Sequence, residues 1–314
     1  MTLPALLRER LSLPLIASPM FIVSQPALVV AQCRAGIVGS FPSLNARPSG
    51  VFEDWLQLLN RELTDQDAPF AVNLIVHKTN ARLEEDLALC VKYRVPVVIT
   101  SLGARTDVNE AVHSYGGIVL HDVINNMFAR KAVEKGADGL IAVAAGAGGH
   151  AGTLSPFALV EEIRAWFDGP LILSGAIATG RSIAAAQMMG ADLAYMGSAF
   201  IATEEANADQ RYKQMIVDSS SGDIVYSDYF TGVLGNYLRP SITAAGFDAD
   251  RLPQARDMDI ASMAEEDKKA WRDIWGAGQG IGAVQKIQPA ALLIQELKAQ
   301  YRAAVMAFQL QEGA

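Results

Sequence analysis

The stretch Ala147-Gly148-Gly149-His150-Ala151-Gly152-Thr153-Leu154 has the residue types and spacing that chemistry needs. A single histidine stands among glycines, directly after the apolar, β-compatible run Gly139–Ala145. Ser155 and Pro156, a fitting N-cap and first helical residue, follow it. Glycines let a backbone approach a ligand and leave the imidazole uncovered. Imidazole titrates near neutrality, so His150 is suited to act as a general base, and as imidazolium it would attract an anionic substrate.

Other polar residues fall at the ends of apolar runs. Ala17-Ser18-Pro19-Met20 closes the first run, Asn73 interrupts the third, and Thr100-Ser101 and His121-Asp122 end the fourth and fifth. Asn73 reads either as a buried network residue or as a ligand whose amide meets a polar ring edge. His121 reads as a second candidate, for the substrate pocket, whereas His77 and His113 read as surface residues. The seventh and eighth runs end in Ser174-Gly175-Ala176 and Met196-Gly197-Ser198. Backbone N–H groups at Gly175 and Gly197, with the Ser198 hydroxyl, are the parts of a phosphate site; the alternative is that these glycines only serve tight turns.

Positioning these residues requires a repeated unit. Strand-like runs at 15–18, 36–40, 70–76, 95–100, 117–120, 139–145, 170–174 and 193–196 alternate with helical segments at 26–35, 51–63, 80–93, 106–115, 126–135, 156–167 and 181–189. The strands are continuously apolar, as parallel strands covered on both faces are. Lys135-Gly136-Ala137-Asp138-Gly139-Leu140 recurs as Met189-Gly190-Ala191-Asp192-Leu193-Ala194, each a helix stop followed by a strand. The pattern predicts a (β/α)8 TIM barrel over 1–206, with a doubly wound open sheet as the rival. Residues 207–287 read as a smaller helical insertion over the barrel mouth. Within it, a helix is expected over 204–217, a mixed segment over 219–252 holds Tyr226, Tyr229 and Tyr237, a polar helix is expected over 261–275, and Ala277-Gly278-Gln279-Gly280 forms a glycine-rich turn. A last helix at 289–309, within 288–314, would return to the barrel wall.

The chain has 314 residues, a net charge of −8 and 51% apolar residues. That is ample core, and the acidic balance with no basic run argues against nucleic acid as a partner. The apolar run 11–23 behind Arg8 and Arg10 imitates a secretion signal, but Glu9, Pro14 and Pro19 interrupt it, and it reads as the first strand and helix. No run has the length and apolarity of a membrane span. Cys33 and Cys90 are the only cysteines; they read as reduced core thiols in a cytoplasmic protein, and no metal-ligand spacing is present.

Ala17-Ser18-Pro19-Met20, Ala71-Val72-Asn73-Leu74, Gly148-Gly149-His150-Ala151-Gly152, Ser174-Gly175, Gly190-Ala191-Asp192, Met196-Gly197-Ser198 and Ala277-Gly278-Gln279-Gly280 occur in one order along most of the chain. Each alone is a weak signal, but the ordered set resembles the nitronate monooxygenase family, formerly the 2-nitropropane dioxygenases. The resemblance implies an FMN-dependent barrel that oxidises alkyl nitronates with O2 to a carbonyl compound and nitrite. Carried over by position, Ala17, Pro19, Met20 and Asn73 would face the flavin ring. Ser174, Gly175, Ala176, Gly197 and Ser198 would hold the phosphate, and His150 would be the base. Gln279 would reach the cofactor or substrate from the lid, and His121 and Tyr237 would border the substrate. A homo-oligomer is a further expectation. The chain departs from the pattern at Asp122, where some members have lysine, at Ala176, where many have glycine, and at Ala144-Ala145, where some have an acid. An NAD(P)H-dependent flavin reductase of quinones or enoyl thioesters and a cofactor-free sugar-phosphate barrel enzyme remain the alternatives.

Overall fold

The computed structural model describes residues 3–48, 50–253 and 273–311. It opens with a short helix, α1 (Ala5–Arg10), and then alternates strand and helix: β1 (Leu15–Ala17), α2 (Pro26–Arg34), β2 (Gly39–Pro42), α3 (Val51–Glu62), β3 (Phe70–Ile75), α4 (Leu83–Lys92), β4 (Val97–Ser101), α5 (Thr106–His113), β5 (Ile118–Val123), α6 (Asn126–Glu134) and β6 (Gly139–Val143). A two-residue strand, β7 (Gly149–His150), leaves the barrel before α7 (Pro156–Arg164), β8 (Leu171–Ser174), α8 (Gly180–Met188), β9 (Leu193–Met196) and α9 (Ser198–Ile201) complete it. Eight strands pair in parallel in the order β1-β9-β8-β6-β5-β4-β3-β2. The ring closes through a parallel bridge between Ile16 and Val38, with Ala17 N–H donating to Val38 O at 2.8 Å and Val38 N–H to Leu15 O at 3.2 Å. The expected barrel is therefore present, and the open sheet is not.

Local chemistry explains the element ends. Pro26 and Pro156 occupy first helical turns, and Asn125 caps α6 by accepting from Phe128 N–H at 2.9 Å. At α8, Thr179 and Ser182 form a reciprocal capping box. The expected strand 36–40 begins later, at Gly39, because Gly36 (φ +85°) ends the preceding helix in the left-handed region. β5 runs on to Val123, so His121 and Asp122 lie inside a strand rather than beyond it.

Two packed layers result. Ile16, Ala71, Ile99, Leu120, Ile141, Ile172 and Tyr195 fill the barrel interior together with Leu7 of α1, which plugs the barrel. A larger shell, including Val72, Val98, Val119, Leu140 and Leu173, packs outward against the helices. Inward and outward residues alternate along each strand, as the pleat requires.

Beyond the barrel, α10 (Gln210–Asp218) is followed by a hairpin, β10 (Ile224–Ser227) and β11 (Gly235–Leu238), and by α11 (Arg239–Ala244). The mixed segment of the insertion is thus this hairpin and one short helix. The expected helix 261–275 falls almost wholly outside the described residues. The last helix, α12 (Ala290–Gln311), returns to the barrel. Lys298 Nζ donates to Ala35 O at 2.7 Å, Gln300 Oε1 accepts from Gly180 N–H at 2.9 Å, and the Tyr301 hydroxyl donates to Gln187 Oε1 at 2.5 Å. No described helix is long and apolar enough to cross a membrane.

Candidate active site

The barrel interior changes character at one layer. Two residues beyond the inward-facing core positions of seven of the eight strands come Ser18, Asn73, Ser101, Asp122, Val143, Ser174 and Gly197, and all of them line a single cavity of about 1310 Å3 at the carboxyl ends of the strands. Because side chains alternate, that step of two keeps the same inward direction. The floor of the cavity is therefore a polar layer set directly on an apolar plug, where barrel enzymes carry their chemistry.

A hydrogen-bonded chain crosses this floor. Asn73 Nδ2 donates to Ile99 O at 3.0 Å and to Ser101 Oγ at 2.7 Å. Ser101 Oγ donates to Asp122 Oδ2 at 2.5 Å. Burial raises the Asp122 carboxyl to about 6, with the Ser101 bond pulling the other way. Tyr195, buried beside it, has its phenol held well above the ordinary range by burial and by the Asp122 charge. Asp122 is thus an acid embedded in a donor chain.

His121 lies on the other face of β5. Its Nδ1 is 2.6 Å from Thr100 Oγ1, its cross-strand neighbour. It borders the cavity, but it has the parity of Val119, which packs toward the helices. Burial lowers its imidazolium to about 4.

The phosphate-type residues meet where four loops are knitted together. Gly146 O accepts from Ala176 N–H at 3.2 Å and from Gln279 N–H at 2.9 Å, and Ser198 Oγ accepts from Gly278 N–H at 2.8 Å. Ser174, Gly175, Ala176, Ile177, Gly197 and Ser198 all face the cavity. The N–H groups of Ile177, Gly197 and Ser198 donate to no described residue. Gly175 sits at φ +144°, with Ala145 O only 2.8 Å from where a Cβ would stand, so no side chain fits there. Ala176 adopts φ +53°, a conformation that suits glycine better. Ile22 and Leu102 also have positive φ and line the same cavity, in keeping with the clustering of backbone strain at functional sites.

Around Met20 the loop is held by two side chains. Met20 N–H donates to Ser24 Oγ at 3.0 Å, and Met20 O accepts from Asn45 Nδ2 at 3.0 Å. Pro19 and Met20 line the cavity. Ala17 does not reach it: the residue is fully buried in β1, and its carbonyl accepts from the Ser40 hydroxyl.

His150 lines the same cavity. β11 pairs antiparallel with both β10 and β7, in register Gly235↔His150 and Asn236↔Gly149. Asn236 Nδ2 donates to Ala147 O at 2.6 Å, and on the hairpin's other side Leu238 N–H donates to Trp275 O at 2.7 Å. The histidine of the glycine-rich loop is thus fixed by a hairpin that follows it by about 80 residues. Its Nε2 is 3.2 Å from Thr231 Oγ1. Burial lowers its imidazolium to about 4, so the resting side chain is neutral.

Tyr237 and Gln279 are placed differently from the rest. Tyr237 is buried behind His150 in a small aromatic cluster with Phe230, 3.1 Å from Thr231 Oγ1. Gln279 is exposed, with its side chain beside Gly146, while its neighbours Gly278 and Gly280 line the cavity. Tyr195, which lines the cavity, and Thr231, which touches His150, are residues that the sequence did not single out. Among the described residues no cluster of ligating side chains could hold a metal ion.

A family model described as nitronate monooxygenase matches residues 82–300. A nitronate monooxygenase of Paraburkholderia phytofirmans is 26% identical over 93% of each chain. Among solved structures, FabK from Thermotoga maritima superposes with a TM-score of 0.81 at 26% identity, covering 97% of this chain and 96% of its own. A nitroalkane oxidase from Streptomyces ansochromogenes shares the fold, with a TM-score of 0.83 at 24% identity, covering 97% and 100%. With the motif order and the barrel-mouth cavity already in hand, the chain belongs to the nitronate monooxygenase family.

Proposed function

We propose that this chain binds FMN without a covalent link and oxidises alkyl nitronates with O2, releasing a carbonyl compound and nitrite. The carrying observation is that one cavity is lined both by backbone N–H groups at Ile177, Gly197 and Ser198 that donate to no described residue and by a neutral imidazole at His150. The volume of about 1310 Å3 exceeds that of a site for one drug-sized ligand, so a cofactor and a substrate fit together.

The residues fit a flavin phosphate. The cradle is side-chain-free at Gly175 and Gly197, it offers N–H donors, and the Ser198 hydroxyl keeps its proton to donate because its oxygen accepts from Gly278. Asn73, Ser101 and Asp122 supply donors and acceptors for a polar ring edge on the floor. When bound, FMN supplies the electron transfer that no side chain here can perform. The protein's own part is separate. His150 removes the α-proton of a neutral nitroalkane, and the imidazolium so formed lies beside the nitronate it has created. The hairpin and the Gly278–Gly280 loop cover the site and limit water. The described part of 207–287, as the lid, shapes the pocket for the substrate.

The test is to purify the protein, record its visible spectrum and chromatograph the acid-released cofactor, then assay nitrite from an alkyl nitronate. Released FMN and stoichiometric nitrite are expected. Release of FAD or of nothing overturns the cofactor assignment. NADH oxidation with a quinone and no nitrite overturns the reaction. Gly197→Val, whose Cβ would come within 3.3 Å of Ser18 Cβ and 3.5 Å of Met20 Sδ, is expected to purify with most of its flavin lost.

A further inference from the structure

We propose that Ile22 is a specificity-determining residue, an apolar contact for the alkyl chain of the substrate, and that Asn45 and Asn207 hold it in place. This role rests on the reading of the cavity as a nitronate site and adds to it the residue that measures the chain attached to the nitronate.

Ile22 combines two costs. Its backbone sits at φ +66°, a left-handed conformation that is an outlier for a β-branched side chain. It is also 36% exposed, although its side chain is wholly apolar. A glycine would make the same turn with neither cost. What isoleucine adds is its side chain, and that side chain does not belong to the buried core. The residue lines the cavity instead. Both of its backbone polar groups are taken up: the N–H donates to Asn45 Oδ1 at 2.8 Å, and the carbonyl accepts from Asn207 Nδ2 at 3.1 Å. The open surface is therefore chiefly side chain.

The clamp comes from two distant parts of the chain. Asn45 follows β2, and its Nδ2 also donates to Met20 O at 3.0 Å and to Ser24 O at 2.8 Å. Asn207 lies between α9 and α10, and its backbone N–H donates to Val23 O at 3.0 Å. Strained backbone persists only where its surroundings over-determine it, and Ile22 is bonded on both sides. Asn45 does not itself line the cavity, so it is a positioning residue. Ile124, Phe128 and Leu234, each more than a third exposed, line the same cavity. The charged end of a nitronate needs polar groups, and this apolar surface suits the rest of the molecule, its alkyl chain.

The experiment titrates the full-length protein, with its own cofactor in excess, with straight-chain carboxylates from propionate to octanoate in a calorimeter. A carboxylate has the planar charge of a nitronate and does not undergo its oxidation, so it reports binding alone. In the unsubstituted protein each added methylene should tighten binding by about fourfold over the middle of the series. Ile22→Ala should weaken octanoate about tenfold and propionate by about twofold at most, with Ile22→Val in between. Ile22→Gly suits the left-handed turn, so it folds if alanine does not, and it should weaken octanoate at least as much as Ile22→Ala. Asn45→Ala leaves Ile22 in place and should reduce the preference for octanoate over propionate severalfold. A series without chain-length dependence, or equal changes for propionate and octanoate in Ile22→Ala and Ile22→Gly, overturns the role of Ile22. An unmoved preference in Asn45→Ala overturns the clamp. If no nitrite forms from a nitronate while the carboxylates still follow Ile22, the reaction assigned above fails and the role of Ile22 stands. If nitrite forms and the carboxylates ignore Ile22, the reverse holds.

Discussion

Two histidines border this cavity, and burial lowers both to about 4. They belong to unlike regions. His121 is part of a regular eight-stranded ladder, bonded to Thr100 on the next strand and turned toward the helix layer. His150 stands on a two-residue strand outside that ladder, held by a hairpin from the insertion. Residue type and protonation state are therefore the same, and the element that carries each side chain separates their roles. The ladder gives His121 a structural partner, whereas the hairpin presents His150 to the cavity and sets the ring's orientation.

The sharpest way to break this contrast is to remove each imidazole in turn. His150→Asn is expected to keep FMN and lose about 100- to 10,000-fold in rate on neutral nitroalkanes, with a smaller loss on preformed nitronate, which has no proton to remove. His121→Asn is expected to lower stability by about 1–3 kcal/mol through its lost buried bond, with rates within severalfold. Steady-state kinetics beside thermal unfolding decide it, and equal rate losses in both variants would dissolve the comparison.

Next in size is the hairpin itself. A Cβ at Gly235 would meet Gly149 O at 2.8 Å, so Gly235→Val should push β11 from β7. Turnover of neutral nitroalkanes should drop roughly tenfold or more as His150 loses its position, with about 1–3 kcal/mol of overpacking strain and the flavin retained. Unchanged turnover would mean that the pairing does not position the base.

A pH series separates the floor from the wall. Below about pH 6.5 the unfolded chain protonates both histidines while the folded protein does not, which lowers stability as pH falls. Asp122, raised to about 6, takes up a proton in the folded state first and opposes this. Between pH 6 and 4 the three groups together bind one more proton in the unfolded state than in the folded. Stability should then fall by about 1.4 kcal/mol per pH unit. Asp122→Asn should steepen this toward about 2.7 kcal/mol per unit, as measured by denaturant titrations at each pH. An unchanged slope would return Asp122 to an ordinary carboxylate.

The smallest effect is expected at Ala176→Gly. Relief of a left-handed alanine gains about 1–2 kcal/mol, and the looser unfolded chain gives back about 0.4–1 kcal/mol. A thermal-shift measurement should find a slight stabilisation with flavin content intact. A loss above about 2 kcal/mol would mean that the methyl group packs in a way the backbone does not reveal.

The barrel was legible in the sequence because its strands are unbroken apolar runs, and their spacing admits few other arrangements. The floor was partly legible: Asn73, Ser174 and Gly197 stood out as polar or small residues at strand ends. The facing of His121 was not, since it depends on the parity of β5, and Leu120 and Asp122 bracket it without fixing a register. The hairpin was hidden for another reason. β7 is two residues long, too short for any periodicity, and its partner lies far along the chain. Thr231 therefore had no local signal. The tyrosines marked the region as apolar, but nothing in their spacing turned Tyr237 away from the cavity and Tyr226 toward it. Likewise, a glycine-rich turn does not tell which of its residues faces inward, and Gln279 faces out.

The contact between α8 and α12 bears on how the chain is born. The two backbones press together at Gly180, where a Cβ would overlap Leu297 O and Tyr301 N, and Gln300 caps the Gly180 N–H. A ribosome delivers α8 about a hundred residues before α12, a wait of roughly 5–20 s at ordinary elongation rates of about 5–20 residues per second. For that interval every barrel strand has been made, yet one groove of the outer ring is open and the flank of α8 lacks its cover. The outer ring of the barrel therefore closes only once α12 has emerged.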